Sequence, residues 1–163
     1  MTRMAAWTAL GFVAVLGGPA HAQGVVMQRN LSLALAKTIA EATLAECQAK
    51  GFHTAAAVVD RAGQPLVLLR DEQATVQTLE MSRRKAYTAR MFRTTTIEFQ
   101  KRTTDPELTP QRDVSEILAL GGGVPILAGN EVIGGVGSSG SSQTQDDACA
   151  KAGIAAVQDK IDF

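Results

Sequence analysis

The stretch GGVGSSGSSQTQDD, residues 134–147, contains a literal G-x-G-x-x-G in Gly135, Gly137 and Gly140. Its reading decides the fold, because the same spacing occurs in the phosphate-cradling turn of dinucleotide-binding domains and in ordinary glycine-rich exits from a strand. The dinucleotide fingerprint opens a strand–helix–strand unit of about thirty residues, with an acid at the end of the second strand to take the ribose. Only residues 141–163 follow Gly140, and they read as one helix, which leaves no second parallel strand. Asp146 and Asp147 at the start of that helix would also repel a pyrophosphate seated there. The glycines are therefore expected to let the chain leave a strand close to neighbouring backbone and enter a terminal helix. The serines among them could still hydrogen-bond a small ligand.

Working outward from this segment, EVIGGVGSS reads as a strand, joined through the hairpin chemistry of AGNE to a second strand, VPILAGN, with a third strand-like piece, EILALGGG, before it. Further upstream, TAAAVVD and QPLVLLR flank the turn RAG as a hairpin. Both carry apolar residues at successive positions, so both faces of that hairpin are expected to be covered. Helices complete the pattern. Ser32 caps a run that ends at Lys50 before Gly51, a second helix spans about residues 75–92, and Thr95 with Glu98 forms a capping-box pair for a short third. Residues 103–113, with Pro106 and Pro110, have no period and read as an irregular excursion. Two hairpins cannot be parallel neighbours joined by crossover helices, so the sheet of about five strands is antiparallel and the class is α+β.

The first residues stand apart. Arg3, the apolar run MAAWTALGFVAVL and the A-x-A site Ala20-His21-Ala22 form the layout of a secretory signal over residues 1–22, leaving one domain over residues 23–163. Export to the periplasm or the medium is the resulting expectation, with no membrane attachment after cleavage. Lys plus Arg and Asp plus Glu balance at 16 each, with no basic stripe, which argues against nucleic acid as a partner. The locally basic RRKAYTARMFR reads as a solvated helix face. Cys47 and Cys149 are too few for a disulfide framework and lack zinc spacing; they either form one bridge in an oxidising compartment or are small core residues.

Taken together, AVVDRAGQPLVLLR (57–70), RKAYTA (84–89), GGGVPI (121–126) and VIGGVGSSGSSQTQDDACAKAGIAA (132–156) resemble the GlcG/HbpS-like haem-binding family, related to the C-terminal domain of PduO-type proteins. The family's usual Ser-Gly-Ala and Asp-Glu are replaced here by Ser139-Gly140-Ser141 and Asp146-Asp147. The resemblance implies a profilin/PduO-C-like domain with its first and last helices side by side on one sheet face, a homo-oligomer, and haem or a related tetrapyrrole as ligand in some members. If those helices run antiparallel, Cys47 and Cys149 fall at the same end, which favours the bridge.

Haem iron is held by His, Met, Cys or Tyr. His53 is the one histidine beyond the signal, and GFHTAAAVVD resembles the stretch in which some haem-binding relatives also carry a histidine, making His53 the axial-ligand and metal candidate. The alternative is an ordinary strand-end histidine. Tyr87 and Met81 are further ligand candidates. Lys85, beside the glycine-rich wall of Ser139 and Gly140, is a candidate to hold a propionate or a small carboxylate. A competing reading makes the protein a small-molecule enzyme, or an accessory protein, acting on a carboxylate or carbonyl metabolite, with Lys85 or Asp146 as acid or base. No nucleophile elbow and no Ser-His-Asp set accompany the one histidine.

Overall fold

The computed structural model describes residues 24–161. The secretory signal expected over residues 1–22 lies outside the described residues, as do the last two positions of the domain. The chain folds as α1 (Leu33–Ala49), β1 (Ala55–Val59), β2 (Pro65–Arg70), α2 (Gln77–Phe92), α3 (Thr96–Arg102), a 3₁₀ turn (Thr109–Asp113), β3 (Gly123–Ala128), β4 (Glu131–Ser139), α4 (Gln143–Ala155) and a short α5 (Gln158–Ile161). The sheet order is β2-β1-β4-β3, and each neighbouring pair is antiparallel. This is the α+β sheet that the hairpins imply.

Local chemistry sets the element ends. The Ser32 side chain accepts from Leu35 N, and the C-terminus of α1 closes through Phe52 N to Cys47 O and Gly51 N to Gln48 O, with Gly51 at φ 77°. Thr95 and Ser142 cap α3 and α4 in the same way. The terminal helix is interrupted where one continuous helix is expected. A turn after α4 lets Val157 and Ile161 both reach the core.

Helices cover both faces of the sheet. On one face α1 and α4 pack over Val58, Ile126 and Val136, joined by a disulfide between Cys47 and Cys149 with Cα atoms 5.6 Å apart. On the other face α2 lies so close that the fingerprint glycines explain themselves. A Cβ on Gly137 would stand 2.1 Å from Ser82 O, and one on Gly135 would stand 2.4 Å from Ala86 O. Gly140, at φ 142°, passes the backbone of His53, with 2.5 Å between a hypothetical Cβ and His53 O. The motif is a helix-on-sheet seat, and the segment feeds a terminal helix.

Three further expectations change. Among the described residues the sheet has four strands, because residues 117–119 of EILALGGG are irregular. Glu116 sits at φ 72°, and the backbone there bonds to α2 side chains: Arg84 donates to the carbonyls of Glu116 and Ile117, and Thr88 Oγ1 accepts from Leu118 N. With those groups satisfied by side chains, no strand partner is needed. The first hairpin is covered on both faces only along β1, whose five residues are buried; β2 is a sheet edge with Leu68 41% exposed. The basic run on α2 is also not a solvated face, since its Lys85 is buried.

Candidate functional site

The C-terminal end of β4 and the N-terminal end of β1 meet at one edge of the fold, because β1 and β4 pair antiparallel with Ala55 opposite Ser139. Two polar assemblies form there. The first is internal. Lys85 reaches from α2 past the end of the sheet to Asp146 in the first turn of α4, with Nζ 2.9 Å from Oδ2 and side-chain exposures of 1% and 2%. The same ammonium donates to Ser138 O at 2.9 Å. The other oxygen of Asp146 accepts from Ser141 N and Ser141 Oγ. Gly122 closes the wall, since a Cβ there would lie 2.7 Å from Asp146 Cβ and 3.0 Å from Nζ. Burial pushes the Lys85 amine below its ordinary range, and the Asp146 charge opposes that shift. The pair thereby locks the helical layers of opposite sheet faces together.

The second assembly is open to solvent. His53 Nδ1 lies 3.1 Å from Asp71 Oδ2, with the histidine side chain 44% exposed and the aspartate 4%. Gln48 Nε2 donates to the same oxygen at 2.9 Å, and Gln73 N donates to Oδ1 at 2.8 Å. Hydrogen bonds from Gln48, His53 and Gln73 hold the Asp71 carboxyl down to about 2. An anionic Asp71 can only accept, so Nδ1–H donates to it and Nε2 is the ring nitrogen turned away from the carboxylate. Phe52, beside it, is 37% exposed.

Of the residues singled out from sequence, four candidate binding residues, His53, Lys85, Ser139 and Gly140, gather at this end, together with Asp146. Of these four, His53 alone presents a side chain to solvent: Lys85 and Ser139 are buried, and Gly140 has none. The carboxylate that Lys85 holds in this structure is that of Asp146. Tyr87 stands elsewhere, against Gly63 in the turn between β1 and β2, at the far end of β1. Asp71 and Gln48 were not singled out. The signal for Asp71 lies in strand register: Ala55 pairs with Arg70, so the residues just outside that pair, near His53 and at Asp71, are brought together. Among the described residues no group of three or more His, Cys, Asp or Glu could hold a metal ion.

Residues 31–155 match the family described as haem degrading protein HbpS-like. A protein of Citrobacter freundii, described as an uncharacterized 15.0 kDa protein in the dhaT-dhaS intergenic region, is 33% identical over 123 residues, covering 72% of this chain and 84% of that protein. The crystal structure of HbpS is 34% identical, with a TM-score of 0.79 over 83% of this chain and 96% of that one. The structure of a PduOC haem complex is 28% identical, with a TM-score of 0.70 over 77% and 94% of the two chains.

Proposed function

The chain belongs to the HbpS-like family, and from that premise we propose that it binds haem or a related tetrapyrrole, with His53 as the axial ligand. One observation carries the reading: a half-exposed imidazole whose Nδ1 is held by a buried, anionic carboxylate. Metal-ligating histidines have this outer partner, which fixes the tautomer, orients the ring and raises its basicity. The residues present therefore fit a haem iron that takes one nitrogen donor. Bound haem would supply an iron centre capable of ligand binding or electron transfer. Asp71 and Gln48 orient the imidazole, and the Lys85–Asp146 pair holds the wall behind it rigid.

The role we assign is sequestration, sensing or delivery by an exported homo-oligomer, periplasmic or secreted. The signal-like pattern of residues 1–22 supports export, as does the Cys47–Cys149 disulfide, which suits an oxidising compartment. The family resemblance supports the oligomer.

Haemin titration of the purified protein tests the proposal. A Soret shift should saturate at a defined stoichiometry and be lost in His53→Ala, and Asp71→Asn should weaken binding roughly 10- to 100-fold. No saturable shift in the folded wild-type protein would overturn it and favour the competing reading, an enzyme or accessory protein acting on a carboxylate or carbonyl metabolite.

A further inference from the structure

At the other end of the sheet, beyond Tyr87 and the β1–β2 turn, lies an open cavity of about 630 Å³ whose lining includes Val26, Met27, Asn30, Arg61 and Arg90. The Nε of Arg90 is buried there and has no hydrogen-bond partner among the described residues. Its neighbours on α2 are treated differently. Arg83 is paired with Glu80 and Glu116, and Arg84 donates to two carbonyls. Arg61, across the cavity, gives Nη1 to Glu131 Oε2 at 2.9 Å and to Arg29 O at 3.1 Å. Asp60 attracts Arg90, and its Oδ1 accepts from Ala62 N and Gln64 N within the turn. Arg61 and Arg93 repel Arg90, which adds to the cost of its burial. An arginine that served the fold alone would be expected to have found a carboxylate or carbonyl partner, as the other two have.

We propose that this cavity is a second ligand site, for a small molecule bearing an oxyanion, a carboxylate or a phosphate, which Arg90 binds with Arg61 beside it. The guanidinium is a planar, permanently charged fork that matches such a group, and an oxyanion entering the cavity that Arg90 lines would supply an opposing charge and relieve the repulsion among the arginines. The volume lies within the range of small-molecule sites, and Val26 and Met27 offer apolar contact to a short carbon chain. The site lies at the end of β1 opposite His53 and is independent of haem binding.

Calorimetric titration of the disulfide-bonded protein at low ionic strength, with succinate in one arm and inorganic phosphate in the other, tests this. Saturable binding of succinate alone assigns a carboxylate, of phosphate alone a phosphate, and of both a general oxyanion site. Arg90→Gln should weaken binding by at least about tenfold, whereas Lys151→Gln, which removes an exposed charge on α4, should leave it unchanged. If Arg90→Gln does not fold, Arg61→Gln decides, with weaker binding expected. No saturable binding in either arm, undiminished binding in the arginine variant, or equal weakening by Lys151→Gln would overturn the proposal.

Discussion

Lys85 and Arg90 come from the same basic run of α2, yet the two ends of the sheet use them in opposite ways. Lys85 is buried against Asp146 and a carbonyl, at an end also pinned by the disulfide between α1 and α4. Arg90 keeps a buried nitrogen unpaired beside an open cavity, with like charges around it. Burial alone therefore does not say what a cation is for; its partner does. A compensated charge serves the architecture, and an uncompensated one has capacity left for something that arrives from outside.

The largest effect expected from breaking this contrast is at Lys85. Lys85→Met strands the Asp146 carboxylate and should cost about 3–5 kcal/mol in urea unfolding. Adding Asp146→Leu to that variant should recover most of the loss, because removing both partners abolishes the desolvation problem. If the single substitution proves neutral, the two ends do not differ as described. Arg90→Met tests the opposite sign: with Nε unpaired among the described residues, stability without ligand should stay within about 1 kcal/mol of wild type or rise. The smallest effect concerns Asp71. Its folded value of about 2 lies below the ordinary 3.8, so its stabilising contribution is complete above the ordinary value and is lost as pH falls through about 2. Acid titration of stability should show this decline in wild type and less of it in Asp71→Asn.

Much of the fold can be read in the chain because it is encoded locally. Ser32, Gly51 and Thr95 act within a turn or two of their own positions, and the two hairpins depend on short turns. The supposed strand at residues 117–119 could not be dismissed locally, since its backbone is satisfied by Arg84 and Thr88 from a distant helix. The site divides similarly. His53 stands out as the single histidine beyond residues 1–22, whereas Asp71 becomes its partner only through the register of β1 with β2.

By itself, then, the sequence determined the helices, the hairpins, the antiparallel class and the likeness to haem-binding relatives, all of which rest on capping, turn chemistry and short-range pattern. Only the tertiary structure decided which charges are compensated, because pairing between Lys85 and Asp146, or its lack at Arg90, depends on which side chains distant segments bring within a few ångströms. Electrostatic partners inside a protein are chosen by geometry, and charge counts along the chain are blind to it.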